Sequence, residues 1–147
     1  REQLNSIGTL LGKQKFITAL TDVNGYGLAG HLLEMCEGAN LSAALYWNKI
    51  PFCTDLSYYL KNRILPDATF RNWNSYGSKI GFDKSVPVMD AFNLLPDPQT
   101  SGGLLITVNE SHVAELQILL KAYGMEKFAE PIGRMDEKAE KAIFVYP

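Results

Sequence analysis

The pattern of apolar and polar residues along the chain predicts a mixture of helices and strands. Apolar residues recur at helical spacing in several segments, whereas short runs of β-branched and aromatic residues are typical of strands. The predicted helices are 4–11, 28–37, 54–61, 88–95 and 111–123, and the predicted strands are 16–20, 41–46, 104–108, 128–135 and 143–146. The helix over 54–61 is expected to begin at Thr54 or Asp55, and the segment 72–81 is expected to be irregular.

This order of elements predicts an α/β (α+β) fold. In such a fold α-helices are layered on a mixed β-sheet, and the last two strands can form an antiparallel pair. A chain of 147 residues suits one domain, and a domain of this size buries about 68–70% of its unfolded surface. The composition, with 46% hydrophobic and 20% charged residues, is that of an ordinary soluble globular protein.

Charge and hydropathy argue against several classes of partner. A formal net charge of −2 gives no sign of a basic surface for nucleic acid or for an anionic membrane. No apolar run approaches the ~20 residues of a membrane span, and the first residues do not resemble a signal peptide. We therefore expect a cytoplasmic protein that binds neither nucleic acid nor membrane.

The cysteines and histidines do not form a recognisable metal-binding pattern. Cys36 and Cys53 are the only cysteines and are not a C-x-x-C pair, so two reduced thiols are expected, with Cys36 buried in a helix. His31 and His112 have no companion at metal-ligand spacing apart from Glu34, three residues after His31. Core or capping roles are therefore expected for both histidines.

The stretch from Thr21 to Leu28 places one carboxylate, Asp22, where a predicted strand leads through a glycine-rich turn into a predicted helix. The N-terminus of a helix presents unpaired N–H groups, so phosphate and carboxylate groups are favoured there. Mg²⁺ bound by Asp22 can bridge to such a phosphate, although one carboxylate is only part of a magnesium site. The alternative interpretation is that Asp22 forms an Asx-turn or caps the helix.

The same turn contains Gly25, Gly27 and Gly30 in the order G-x-G-x-x-G, which is typical of dinucleotide-binding turns. That fingerprint also needs an acidic residue about 20 positions later, at the end of the second strand. The next predicted strand, 41–46, is followed by Trp47-Asn48-Lys49, without a carboxylate. A non-enzymatic module that holds a dinucleotide or a protein partner with this turn therefore stays as an alternative function.

A second glycine-containing segment, Asp97 to Gly103, leads directly into the predicted strand 104–108. A phosphate-binding Walker loop contains a lysine and leads into a helix, so this segment is not one. Either the backbone N–H groups around Gly102 and Gly103 approach a phosphate or a facing domain, or a turn at Asp97-Pro98 positions the strand. The sequence leaves both interpretations open.

Together, the two segments closely resemble the C-terminal domain of the selenophosphate synthetase family, also called selenide, water dikinase. In that family the first motif is roughly T-D-V-T-G-F-G-L-x-G-H-L-x-E-M, and this chain departs from it at Asn24 and Tyr26. The second motif, D-P-Q-T-S-G-G-L-L, is intact from Asp97 to Leu105. A third family segment, Pro-Gly-Gly-Thr-x-x-Asn, corresponds to 66–72, where Asp67-Ala68 replaces both glycines.

The resemblance implies an enzyme of selenium metabolism that converts ATP, selenide and water into selenophosphate, AMP and orthophosphate. It implies that Asp22 binds Mg²⁺ and faces an ATP-binding domain that lies N-terminal to this region. Gly102 and Gly103 are the candidate cofactor-binding residues.

The same resemblance implies a domain organisation. Residues 1–15 are a helix leading from the ATP-binding domain. Residues 16–147 are the C-terminal domain, which is partly ferredoxin-like and belongs to the aminoimidazole ribonucleotide synthetase-like superfamily. This chain is expected to be inactive alone, and the full-length enzyme is expected to be a homodimer.

Overall fold

The computed structural model describes residues 2–53 and 55–147, and in these two ranges the chain forms six α-helices and six β-strands. In chain order they are α1 (Glu2–Leu11), β1 (Ile17–Asp22), α2 (Gly27–Ala39), β2 (Ser42–Tyr46), α3 (Leu56–Lys61), α4 (Asp67–Tyr76), β3 (Ile80–Phe82), α5 (Val88–Leu94), β4 (Leu104–Val108), α6 (Val113–Ala122), β5 (Gly133–Asp136) and β6 (Ile143–Tyr146). The helix cap predicted at Thr54 lies outside the described residues, and Asp55 makes no side-chain capping bond. Within the same ranges, none of the helices has the length and apolar character to span a bilayer.

The strands form two separate sheets. One is a four-stranded mixed sheet in the order β3-β6-β2-β5, in which β6 is parallel to both neighbours and β5 is antiparallel to β2. The other is an antiparallel ribbon of β1 and β4. The predicted class, with helices and a mixed sheet, is confirmed. The antiparallel pair that the sequence allows for the last two strands does not form, because β2, which is buried on both faces from 42 to 45, occupies the position between them.

Most predicted elements are confirmed, and the exceptions have physical causes. The segment 72–81 is not irregular, because it contains the second half of α4 and the start of β3, with Trp73 and Tyr76 packed on the core. This packing outweighs the weak helix propensity of the neighbouring Asn and Ser residues. The strand predicted from 128 begins only at Gly133, after a 3-10 turn and Pro131, which has no N–H to donate to a neighbouring strand.

Two hydrophobic clusters pack on opposite faces of the β1–β4 ribbon. The larger cluster lies between α2 and the four-stranded sheet, and Leu45 is at its centre with no exposed surface. The smaller cluster is formed by α1, α6 and the ribbon, and includes Leu11. Leu105 contacts the larger cluster, whereas its neighbours Leu104 and Ile106 contact the smaller one. Because side chains alternate along a strand, the ribbon is held from both faces.

Helix α2 carries the buried thiol that the sequence predicts. Cys36 is fully buried, Cys53 is exposed, and both are free. Burial raises the pKa of the Cys36 thiol to about 11, because the thiolate would lose its hydration, and the neighbouring Glu37 carboxylate adds to the rise. The helix ends at Asn40, which adopts the left-handed conformation that commonly ends helices.

We expect a thiol reagent at about pH 8 to modify Cys53 readily and Cys36 only after unfolding, because a buried thiol is protonated and inaccessible.

Between pH 9 and 11 the unfolded chain loses the Cys36 proton while the folded chain retains it. The unfolded state then binds fewer protons, so the free energy of unfolding falls as the pH rises through this window. Urea denaturation across this range measures the fall, and an undiminished fall in Cys36→Ala would contradict its assignment to Cys36.

Candidate functional site

The candidate site lies where β1 leads into α2. β1 ends at Asp22, and the turn that follows is closed by a hydrogen bond of 2.9 Å from the Gly27 N–H to the Asn24 carbonyl. Gly27 has a φ of +72°, a conformation that favours glycine. A Cβ at Gly27 would also come within 2.6 Å of the Pro96 carbonyl carbon and 2.7 Å of the Leu95 carbonyl oxygen. The turn therefore needs glycine here in order to lie directly against the start of the second motif and the two residues before it.

Backbone hydrogen bonds join the two motifs that are far apart in sequence. The Val23 N–H donates to the Gly103 carbonyl at 2.9 Å, and the Gly102 N–H donates to the Val23 carbonyl at 3.0 Å. The Gln99 N–H donates to the Asn24 carbonyl, also at 3.0 Å. The two motifs are thus one structural unit at the end of the β1–β4 ribbon.

A third segment, in α4, completes this unit. The side-chain amide of Asn72 donates to the carbonyls of Gly25 at 2.8 Å and Pro96 at 2.9 Å, so one nitrogen links the first motif to the residue just before the second. The Tyr76 hydroxyl donates to the Tyr26 carbonyl at 2.6 Å. Asn72 is the last residue of the third family segment named above. The side chain of Asn72 therefore attaches the third segment to the candidate site.

Asp97, the first residue of the intact second motif, bonds within the protein. Its carboxylate accepts hydrogen bonds from the Thr69 hydroxyl at 3.3 Å and from the Gln99 side-chain amide at 2.6 Å. Partial burial raises the pKa of Asp97, and these two hydrogen bonds oppose the rise. The structural role of Asp97 is therefore to attach the second motif to α4.

Asp22 differs from Asp97 because its side chain is exposed. The one hydrogen-bond partner of its carboxylate among the described residues is the Asn24 side-chain amide, 3.3 Å from Asp22 Oδ2. The N-cap of α2 is Tyr26, so the interpretation of Asp22 as a helix cap is wrong. In the part of the chain that the structure describes, no three His, Cys, Asp or Glu side chains come together as a metal site. Binding of a metal ion by Asp22 therefore stays a prediction.

Two N–H groups at the start of α2 already have acceptors within the protein, so the prediction that they favour a phosphate is wrong for these two. The Gly27 N–H donates to Asn24, and the Ala29 N–H donates to the Leu95 carbonyl at 3.0 Å. These acceptors come from the turn and from Leu95, two residues before the second motif, and they satisfy part of the helix end within the protein.

The paired glycines of the second motif differ in their surroundings. The N–H of Gly102 is already donated to Val23, and a Cβ at Gly102 would come within 2.8 Å of the same carbonyl oxygen. The interpretation as a turn that positions a strand therefore fits Gly102. Gly103 has a φ of +92°, and no described atom beyond its chain neighbours lies within 4 Å of the position of a Cβ. Its backbone is open to close approach, and cofactor binding by Gly102 and Gly103 stays a prediction.

His31 is buried, with 5% of its surface exposed, as a core role requires. Its Nε2 lies 2.9 Å from Asn24 Oδ1, and its Nδ1 lies 3.2 Å from Glu34 Oε2 without hydrogen-bond geometry. Asn24 therefore connects a buried imidazole to the exposed carboxylate of Asp22. The sequence pattern does not reveal this role of Asn24. The signal in the sequence that could have revealed it is a polar residue, Asn24, seven positions before the buried His31.

The fold argues against the dinucleotide alternative. A dinucleotide-binding unit places its first two strands side by side and parallel, whereas β1 and β2 belong to different sheets. A Cβ at Gly30 would come within 2.7 Å of Tyr26 Cβ and 3.2 Å of the Tyr76 ring. Gly27 is covered by the second motif. Gly27 and Gly30 therefore face the protein's own chain and not a pyrophosphate.

Comparison with known proteins agrees with the resemblance carried by the motifs. The family model described as AIR synthase related protein, C-terminal domain, matches residues 4–146. A protein named selenide, water dikinase from Shewanella baltica (strain OS185) is 46% identical over 145 residues, which are 97% of this chain and 39% of that protein. Proteins of the same name from Aeromonas salmonicida (strain A449) and Haemophilus influenzae (strain Rd) are 42% and 38% identical, over 90% and 97% of this chain.

The chain spans between 36% and 40% of the length of these three relatives. The predicted resemblance to selenophosphate synthetases is confirmed by their names and by the length of the matched region.

We expect Asn72→Asp to lower the free energy of unfolding by about 2 kcal/mol or more, because a carboxylate would replace the donor that serves two carbonyls. The exposed Asn74 lies on the same helix, and Asn74→Asp is expected to change stability by less than about 0.5 kcal/mol. Urea denaturation measures both values. Hydrogen exchange at the turn from Gly25 to Gly27 is expected to rise only in Asn72→Asp. Equal effects of the two substitutions would contradict the role of Asn72 as a link.

Proposed function

The chain belongs to the family of AIR synthase related proteins, as their C-terminal domain, and we propose that it forms one wall of the ATP-binding cleft of a selenide, water dikinase. Such an enzyme converts ATP, selenide and water into selenophosphate, AMP and orthophosphate. The relatives that carry this name support the proposal. A separate ATP-binding domain supplies the opposite wall in this proposal.

The exposed carboxylate of Asp22 is the observation that carries the proposal. It lies at the end of the β1–β4 ribbon and is not used to cap α2. The turn behind it is fixed by the side chains of Asn72 and Tyr76. An exposed carboxylate beside a rigid turn is suited to a ligand shared with another domain, because little reorganisation is needed on binding.

We propose that Asp22 is a ligand of Mg²⁺, which takes oxygen ligands and usually only one or two protein carboxylates. The donor fits this ion, since the carboxylate of Asp22 is exposed and supplies oxygen ligands. When bound, Mg²⁺ neutralises charge on the transferred phosphates and orients them. The contribution of Asp22 is one fixed negative charge at the edge of the cleft.

Gly102 and Gly103 are proposed to line the same cleft. Both are hydrogen-bonded to Val23, the residue after Asp22, so they lie beside the proposed metal ligand. Gly103 leaves open space where a side chain would project, and Gly102 keeps the strand in register. Their proposed role is to let the phosphate chain, or the facing domain, approach Asp22 closely.

The proposal extends to the organisation of the whole enzyme. Residues 1–15 lead from the ATP-binding domain, 16–147 are the C-terminal domain, and the full-length enzyme is a cytoplasmic homodimer. α1 packs on the smaller hydrophobic cluster through Ile7 and Leu11, so the leading segment is fixed to this domain.

Phosphoryl transfer depends on positioning and charge neutralisation from both walls of the cleft. This chain alone is therefore expected to show no ATP turnover.

A chimera that joins this chain to the remainder of the Shewanella baltica relative tests the proposal. We expect it to form selenophosphate from ATP and selenide, as observed by phosphorus NMR. Asp22→Asn removes the charged oxygen and is expected to lower turnover by about 10²–10³-fold with the fold unchanged. The matched control, Asp90→Asn, changes an exposed carboxylate on α5 and is expected to leave turnover unchanged.

Full turnover in Asp22→Asn would remove Asp22 from the mechanism. A folded but inactive chimera would contradict the assignment of the chain to this enzyme. Calorimetric binding of NAD or FAD to the chain at micromolar concentration would favour the binding-module alternative, and we expect no such binding.

A further inference from the structure

The buried His31 and the exposed Asp22 are joined by a link that the proposed function leaves unused. Asn24 lies between them, with its Nδ2 3.3 Å from Asp22 Oδ2 and its Oδ1 2.9 Å from His31 Nε2. Asn24 is itself exposed, so these contacts are not needed to satisfy a buried amide. The arrangement instead constrains the side chain of Asp22.

The chemistry of the three groups fixes the direction of both hydrogen bonds. A carboxylate has only acceptor atoms, so the nitrogen of the Asn24 amide faces Asp22. The amide oxygen then faces His31, so Nε2 carries a proton and donates it to this bond. The imidazole thereby holds the amide in the orientation that presents its N–H to the carboxylate.

His31 is a rigid support for this link. It is 5% exposed, the Tyr26 ring packs edge-on with a centroid distance of 6.0 Å, and Glu34 lies beside the second ring nitrogen. A side chain packed in this way has already lost its rotamer freedom on folding. An exposed aspartate without such a contact samples several rotamers, and ordering it on binding has an entropic cost.

We propose that Asn24 is a positioning residue which, with His31 as its support, orients the Asp22 carboxylate for a divalent cation before the cation binds. The inference rests on the proposed function in one respect, the role of Asp22 as a metal ligand. A carboxylate that is already oriented binds the cation without first losing rotamer freedom.

Three substitutions separate this role from a merely structural one. Asn24→Leu keeps the size of the side chain and removes both hydrogen bonds. Asn24→Thr supplies a hydroxyl that accepts from His31 and donates to Asp22, so it is expected to restore the constraint at least in part. Asn48→Leu makes the same change at an exposed asparagine in the turn after β2 and serves as the matched control.

NMR spectroscopy of the metal-free chain tests the positioning directly. In the unmodified chain we expect one dominant χ1 rotamer of Asp22 from three-bond couplings, and a His31 ring with its proton on Nε2. In Asn24→Leu we expect Asp22 couplings averaged over rotamers, whereas Asn24→Thr and Asn48→Leu retain the dominant rotamer. Unchanged Asp22 couplings in Asn24→Leu, or a His31 ring protonated on Nδ1 alone, would overturn the proposal.

Titration of the same chains with Mn²⁺ alone separates this inference from the proposed function. We expect paramagnetic broadening around the turn, with binding about 2- to 10-fold weaker in Asn24→Leu and absent in Asp22→Asn. Broadening that is unchanged in Asp22→Asn would overturn the metal role of Asp22 itself. Broadening that is lost in Asp22→Asn but unchanged in Asn24→Leu would leave the proposed function intact and overturn the positioning role.

Discussion

The close approach of the Gly27 backbone to the carbonyls of Leu95 and Pro96 is the contact on which the rest of the site depends. A side chain at Gly27 has no room, so the turn and the second motif pack backbone against backbone. The same packing brings Leu95 to the first turn of α2 and Gly103 into register with Val23. Because the ribbon ends there, Asp22 is left exposed beside a turn that is held on several sides. The site is built by complementary backbone surfaces, with few side chains converging on one point.

The features that the sequence predicts correctly are those that depend on near neighbours along the chain. The period of apolar residues is sufficient to predict α2 and β4, since each packs one side on a hydrophobic cluster. The glycine-rich turn after β1 follows from residue types at single positions. The burial of Cys36 also follows, because a free thiol among leucines on a helix is usually part of the core.

The features that the sequence does not predict depend on residues far apart in the chain. Helix α4 forms despite its Asn and Ser residues because Trp73 and Tyr76 pack on elements that follow and precede it. Asn72 reaches carbonyls that lie 47 and 24 positions away, and no local pattern encodes such a pair. The start of α2 was expected to be open to a phosphate, but the Leu95 carbonyl covers one of its N–H groups. The period of apolar residues shows which residues share a face of a helix or strand. It does not show which distant part of the backbone packs against that face.

The β1–β4 ribbon also has a consequence for the order in which this molecule folds. The hydroxyls of Thr18 and Thr107 meet at 2.8 Å although 89 positions separate them in the chain. Closing a loop of that length costs entropy before any contact compensates for it, so pairings of this kind slow folding. During synthesis, β1 has no strand to pair with until β4 has been made. The candidate site around Asp22 is therefore assembled late. A nascent chain that ends before β4 contains the turn sequence but lacks the backbone contacts that fix the turn.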